Sequence, residues 1–245
     1  MSSESVLSSE SLYSRGSSVW KDYSNVYDLM DHIPFVKELR RKHLLAVGSL
    51  EYLLDNGCGS GSFTLQLAQN PGRKIVGIDF SKEMLAKAAG KLIKCGNVNL
   101  CAADSCYLPF ADSTFDAVVS NMVIYLLNDA EKAVSEMARV TKPNGILSLA
   151  SPLNSLDMEV IIEATRKYFE MVDNEIRSNG RSGISQKDIE EFIASNRAVQ
   201  KRIRNLYSIG EITSVLQRNG YSISLADDAD YLNQVFFVAG KKEVV

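Results

Sequence analysis

Short apolar runs alternate with helical patterns along the chain, and this alternation constrains the fold more than any other feature of the sequence. Amphipathic helical patterns lie between most of the runs. Strands joined through helices pair in parallel, because the helix carries the chain back across the sheet. The sequence therefore predicts an α/β protein built on a largely parallel sheet. Seven runs have the length and composition of β-strands, at residues 52–54, 74–78, 98–102, 115–119, 146–150, 221–225 and 235–239.

The alternation is interrupted between the fifth and the sixth run. Residues 155–204 contain no strand pattern, and two amphipathic helical patterns are separated there by a polar break at Gly180 and Gly183. We predict three parts. Residues 1–18 are a flexible serine-rich arm, residues 19–150 and 205–245 form the core, and residues 151–204 form an inserted helical lobe.

Composition excludes several classes of protein for this chain of 245 residues. The net charge is -3, so no basic field favours binding to nucleic acid or to an anionic membrane. Four cysteines, none in a CxxC pair, and two histidines argue against a disulfide scaffold or a metal site. No apolar run has the length of a membrane span, and the first residues lack a signal-peptide pattern. We therefore expect a cytoplasmic monomer or homodimer without metal, membrane or nucleic-acid partners.

A glycine-rich segment from Asp55 to Gly61 follows the first strand and precedes the first helix of the sheet. Glycines at alternate positions (Gly57, Gly59 and Gly61) let the backbone turn sharply and approach a ligand closely. In a dinucleotide-binding fingerprint the third glycine takes the sixth place of the motif, and Ser62 stands there in this chain. The spacing therefore disfavours a nicotinamide oxidoreductase.

The acid followed by glycines at alternate positions resembles the D-x-G-x-G-x-G loop of class I S-adenosylmethionine-dependent methyltransferases. The resemblance continues through residues 74–81, 103–112, 115–119 and 136–145, which are similar to the later motifs of that family in the same order. The small-molecule branch that includes the quinone-biosynthesis enzymes is the most similar. The resemblance implies a Rossmann-like doubly wound sheet of seven mostly parallel strands, a last antiparallel strand and an inserted helical lid.

The resemblance also assigns cofactor-binding roles to individual residues. Asp55 and the loop glycines would hold the methionine end of S-adenosylmethionine, and Asp79 would accept hydrogen bonds from the ribose hydroxyls. Phe80 and Met84 would pack on the adenine, and Asp104 with Ser105 would contact its amino group. Asn121 would line the sulfonium, and Tyr23 would close the cofactor site from the amino-terminal segment.

Direct displacement of a methyl group needs a general base only when the acceptor is protonated. Candidates for a base or an acceptor-positioning group are Tyr27, His32 and Tyr125, whereas His43 lies on an apolar helix stripe and is expected in the core. Two basic clusters are predicted to be solvated helix faces. The first is Lys37, Arg40, Arg41 and Lys42, and the second is Arg197, Lys201, Arg202 and Arg204.

The function predicted is methyl transfer to the O, N or C atom of a small molecule, with the inserted lobe contributing specificity. Two alternatives stay open. One is methylation of RNA or protein, against which the acidic balance argues. The other is a non-catalytic partner protein that binds S-adenosylmethionine, which the intact loop does not distinguish from an enzyme.

Overall fold

A computed structural model describes residues 19–178 and 183–244, and its centre is one seven-stranded sheet. The strand order is β3-β2-β1-β4-β5-β7-β6, and β7 alone runs antiparallel to its neighbours. The predicted fold class is therefore confirmed, including the last antiparallel strand. The strands are β1 (Tyr52–Asn56), β2 (Lys74–Asp79), β3 (Val98–Ala102), β4 (Phe115–Asn121), β5 (Thr141–Pro152), β6 (Tyr221–Ala229) and β7 (Val235–Lys242).

Helices cover both faces of the sheet, and a short 3₁₀ turn at Tyr27–His32, which we call the strap, lies between the first two of them. A first helix, α1, is described over residues 19–26. The others are α2 (Pro34–Val47), α3 (Ser62–Ala68), α4 (Lys82–Leu92), α5 (Ala130–Val140), α6 (Met158–Ser178), α7 (Gln186–Gln200) and α8 (Ile209–Arg218). Shorter turns lie at Ile124–Leu126 and Asp230–Asn233.

Local sequence signals account for most helix boundaries. Pro34 occupies the first turn of α2, and Ser208 forms a full capping box with Glu211 at the start of α8. The Ser81 hydroxyl accepts from the Met84 N–H at the start of α4, and the carboxylate of Asp129 accepts from the Lys132 N–H at the start of α5.

The described residues of the predicted lobe, between β5 and α8, form the helices α6 and α7, as the helical pattern predicts. Their apolar faces do not form a core of their own, because Phe169 and Phe192 pack together with Tyr23 and Val26 of α1 and with Tyr125 after β4. Gly183 lies between the two helices, whereas the predicted break at Gly180 and the arm over residues 1–18 lie outside the described residues. The helices and α1 thus stand together over the carboxyl ends of β4 and β5.

None of the helices in the described ranges is both long enough and apolar enough to cross a membrane.

Candidate functional site

The glycine-rich loop between β1 and α3 forms the floor of the site. Gly57, Gly59 and Gly61 have φ angles of 76°, 55° and 81°, in the left-handed region that favours glycine. A Cβ on Gly61 would lie 3.0 Å from the Cβ of Ala88 on α4, and one on Gly59 would lie 3.3 Å from the Tyr27 ring. The absent side chains therefore let α4 and the strap lie directly against the loop.

Asp79 ends β2 beside this loop. Its two carboxylate oxygens accept hydrogen bonds from the backbone N–H groups of Gly59, at 2.9 Å, and Ser81, at 2.8 Å. Burial raises the pKa of Asp79, and the N–H groups oppose the rise because they stabilise the charged form. The carboxylate is thus fixed in orientation at the carboxyl ends of the parallel strands, where open α/β sheets bind ligands.

A small polar cleft of about 290 Å³ opens next to the loop. It contains one buried cation, Arg40, and one buried anion, Asp55, whose carboxylate accepts from the Thr64 hydroxyl at 2.7 Å. Burial raises the pKa of Asp55 to about 6, while Thr64 and Arg40 oppose the rise. A cleft with one charge of each sign is complementary to a zwitterion such as an amino acid. Its lining consists of Tyr27, Arg40, Asp55, Gly57, Cys58, Ser62, Phe63 and Asn121.

Arg40 is the functional candidate that the sequence analysis missed. The prediction that it belongs to a solvated face is wrong, because Arg40 is 4% exposed and its guanidinium donates to Asp31 of the strap at 2.7 Å. The Arg40 Nε has no hydrogen-bond partner and is buried. Arg41 beside it is exposed, because adjacent positions of a helix point in different directions. Treating the basic positions of α2 one by one, and not as a single face, would have distinguished Arg40 from Arg41.

The strap is tied to the glycine-rich loop by carboxylate–hydroxyl hydrogen bonds. Asp28 accepts from the Ser60 hydroxyl at 2.7 Å, and Asp31 accepts from the Ser62 hydroxyl at 2.6 Å. Lys91 of α4 adds an ion pair to Asp28 at 2.8 Å. These contacts hold the Tyr27 ring over the loop.

A larger apolar cavity of about 770 Å³ lies between α1, the strap, the ends of β4 and β5, and the helices α6 and α7. No residue of its described lining carries a charge, and the second basic cluster, at 197–204, is absent from it. The polar groups that reach it are tyrosine hydroxyls, Thr165 and Asn196. The lining residues are Trp20, Tyr23, Tyr27, Met30, Ile33, Phe35, Met122, Tyr125, Pro152, Met158, Ile161, Ile162, Thr165, Phe192, Ile193, Asn196 and Val199.

Tyr27 lines both the polar cleft and the apolar cavity, so the two spaces meet at its side chain. Burial raises the pKa of Tyr27 to about 12 and also raises that of Tyr125. Both phenols are therefore protonated near neutral pH. They are suited to donating hydrogen bonds and poorly suited to accepting a proton, which needs a pKa near the working pH.

Two predicted site residues lie elsewhere. Tyr23 is in the apolar cavity and does not line the polar cleft, because its hydroxyl donates to Asn196 of α7 at 3.0 Å. His32 is exposed at the end of the strap and lines neither space. Its backbone carbonyl accepts a hydrogen bond from the hydroxyl of Tyr168 on α6 at 2.9 Å.

The remaining predicted residues surround the loop. Phe80 is 37% exposed after β2, whereas Met84 is buried on α4. Asp104 follows β3 and accepts from the Cys106 N–H at 2.8 Å, with Ser105 buried beside it. Asn121 ends β4 and lines the polar cleft. Within residues 19–178 and 183–244, no group of three or more His, Cys, Asp or Glu side chains is arranged to hold a metal ion.

Comparison with known proteins gives the same assignment as the loop geometry. A family model described as "Methyltransferase domain" matches residues 54–149. A demethylmenaquinone methyltransferase of Staphylococcus haemolyticus is 30% identical over 163 residues, which cover 63% of this chain and 67% of the relative. The chain belongs to the class I S-adenosylmethionine-dependent methyltransferases. Within that family it is similar to the quinone-biosynthesis branch.

A second relative of this methyltransferase family, the demethylmenaquinone methyltransferase of Staphylococcus epidermidis, is 31% identical over 136 residues. The match covers 53% of this chain, which spans 56% of the length of that relative. Among solved structures, a methyltransferase from Aquifex aeolicus has a TM-score of 0.59 at 20% identity and covers 89% of this chain and 97% of its own. That likeness supports the fold.

S-adenosylmethionine is the cofactor of this family, and the polar groups around the loop fit its two ends. The buried Arg40 Nε without a partner and the Asp55 carboxylate are complementary to the charges of a methionine carboxylate and ammonium. Asp79 offers two carboxylate oxygens, a suitable acceptor pair for a ribose diol.

Proposed function

We propose that this protein transfers the methyl group of S-adenosylmethionine to an uncharged, largely apolar small molecule. One observation carries the proposal: Tyr27 lines both the polar cleft and the apolar cavity, so a cofactor in the first and an acceptor in the second would meet there. We propose the matching division of the chain into a core that binds the cofactor and an inserted lobe, in which α6 and α7 cover the acceptor as a lid.

In the proposed complex the methionine end lies in the polar cleft. Arg40 binds the carboxylate, Asp55 binds the ammonium, and Asp79 binds the ribose hydroxyls. Phe80 and Met84 are assigned to the adenine ring, and Asp104 and Ser105 to its edge. The bound cofactor supplies an electrophilic methyl group on its sulfonium.

The acceptor is expected to be neutral and at least partly aromatic. A charged acceptor would lose its hydration in a cavity that offers no opposite charge. Trp20, Tyr23 and Phe192 provide ring faces there, because Tyr23 lies 6.1 Å from the Trp20 ring and 5.9 Å from the Phe192 ring. The demethylmenaquinone named for the relatives belongs to this chemical class.

The residues around the cavity are proposed to align the acceptor and exclude water. Tyr27 and Tyr125 donate hydrogen bonds to an oxygen of the acceptor, which places the nucleophilic atom toward the polar cleft. His32 has no part in this arrangement. Methylation of a neutral acceptor releases a proton, which no residue of the described lining is suited to accept, so that proton would pass to bulk water while the protein supplies alignment.

Incubation with methyl-labelled S-adenosylmethionine and a cell extract, followed by separation into lipid, water-soluble, RNA and protein fractions, tests the proposal. Label in lipid-extractable aromatic molecules is the expected result. Label in RNA or protein would overturn the small-molecule assignment. Cofactor binding without any labelled product would favour the non-catalytic alternative.

A further inference from the structure

A buried histidine lies behind the polar cleft, on the face of the sheet that α2 covers. His43 is 0% exposed, and its ring lies 5.5 Å from the ring of Phe63 and 4.9 Å from that of Phe237. Its Nδ1 is 2.6 Å from the hydroxyl oxygen of Ser148 on β5. A buried histidine of this kind commonly has a structural role only. The second ring nitrogen of His43, Nε2, indicates a more specific role.

The strand register brings Asn121 to the same place. Ser148 pairs with Val119 in the parallel β4–β5 ladder, and Asn121 lies two residues beyond Val119, on the same face of the sheet. Burial lowers the imidazole pKa of His43 to about 3, and the nearby Asn121 side chain opposes that shift. His43 is therefore neutral near neutral pH.

Two buried polar atoms in this region, the Nε2 of His43 and the Oδ1 of Asn121, have no hydrogen-bond partner among the described residues. An amide oxygen only accepts, so the two atoms are complementary when Nε2 carries the proton and the Ser148 hydroxyl donates to Nδ1. Asn121 lines the polar cleft, and because its Oδ1 is buried, the NH₂ group is the side-chain donor that it can offer there.

We propose that His43 is a positioning residue for cofactor binding, which acts through Asn121. Ser148 sets the imidazole tautomer, His43 holds the amide oxygen, and the amide nitrogen donates into the polar cleft. Arg40 and Asn121 then offer a pair of donors in one cleft, which suits the carboxylate of the methionine end. This inference rests on the proposed function, because it takes S-adenosylmethionine as the ligand of the cleft.

A double-mutant cycle on cofactor affinity tests this role. Calorimetry would give the dissociation constant for S-adenosylmethionine in the wild type, His43→Leu, Asn121→Ala and the double variant. We expect His43→Leu to weaken binding about fivefold in the wild-type background and less than about twofold when Asn121 is already alanine. Adenosine, which lacks the methionine end, should bind equally well to all four proteins. Equal losses in both backgrounds, or no loss in either, would overturn the inference.

Two further variants separate positioning from folding. His43→Gln keeps an N–H donor and should restore affinity to within about twofold of the wild type, which a role in packing alone would not produce. If His43→Leu does not fold, Ser148→Ala replaces it, and the same dependence on Asn121 is expected. Wild-type protein that fails to bind S-adenosylmethionine contradicts the proposed function, whereas wild-type binding with additive losses contradicts only the role of His43.

Discussion

At the scale of single residues, the polar cleft depends on charges that are buried without full compensation. Within the part of the chain that the structure describes, Arg40 has one ion-pair partner, Asp31, and its buried Nε has no hydrogen-bond partner. Unpaired buried donors are costly, and they persist in proteins mainly where a ligand or water completes them. We therefore place the cofactor carboxylate at Arg40.

Arg40→Gln should weaken S-adenosylmethionine binding about tenfold or more, because a hydrogen-bonded charge pair is lost. Adenosine has no carboxylate and should bind to the variant as it does to the wild type. Calorimetry with both ligands measures the difference, and Arg41→Gln on the exposed side of α2 is the matched control. An equal loss for adenosine would indicate damage to the fold in place of a lost ligand contact.

Asp55 gives a prediction for stability against pH. Its pKa is raised from 3.8 to about 6 in the folded protein, chiefly by burial. At a pH between these two values, Asp55 has lost its proton in the unfolded chain and retains it in the folded chain. The contribution of Asp55 to the free energy of unfolding therefore falls as pH rises. It is highest below pH 4, and above about pH 6 it has fallen by its full amount, about 3 kcal/mol at most.

Replacing this carboxyl by an amide removes the titration. Asp55→Asn should flatten the decline in unfolding free energy between pH 4 and pH 7 relative to the wild type, and its oxygen can still accept from Thr64. Urea unfolding at several pH values measures the decline, with the exposed Asp188→Asn as control. Identical slopes for the wild type and Asp55→Asn would contradict the raised pKa.

At the scale of elements, the loop places α3 and α4 in direct contact. Gly61 has the φ angle of 81° and lies against backbone and side-chain atoms of Ala88. A larger residue there strains the backbone and pushes α4 away from the loop that carries the cofactor. Gly61 thus has a packing role in addition to the ligand-binding role that we propose for the loop.

Gly61→Ala should lower the unfolding free energy by about 1–2 kcal/mol from the backbone alone, and should weaken cofactor binding as well. Gly90→Ala on the exposed side of α4 is the matched control, because nothing lies within 4 Å of an added Cβ. That control should be stabilised by up to about 1 kcal/mol. Thermal and urea unfolding would measure both variants, and a neutral Gly61→Ala would contradict the packing role.

At the scale of the whole molecule, two spaces meet beneath helices that come from different parts of the chain. The strap reaches the loop through Asp28 and Asp31 and reaches the apolar cavity through Tyr27 and Met30. It also contacts α6 through the Tyr168 hydroxyl. The same short turn therefore touches the cofactor loop, the cavity and the insert.

The sequence predicts those parts of this arrangement that depend on local spacing. The seven strands, the glycine-rich loop and the acid that ends β2 follow from short patterns, and Asp55, Asp79 and Asn121 all lie at strand ends. The burial of Arg40 was not predicted, because it depends on Asp31 and Ser62 being brought together by tertiary packing. Asn196 was missed for the same reason, since its contact to Tyr23 spans 173 positions of the chain.

Calorimetric titration of the wild type and of Asp79→Ala with S-adenosylmethionine tests the central claim most directly, with Asp188→Ala as the matched control. We predict that the wild type and the control bind equally well, and that Asp79→Ala binds at least about tenfold more weakly because both ribose hydroxyls lose their acceptor. Unchanged affinity in Asp79→Ala, or no binding by the wild type, would contradict the placement of the cofactor between the glycine-rich loop and β2.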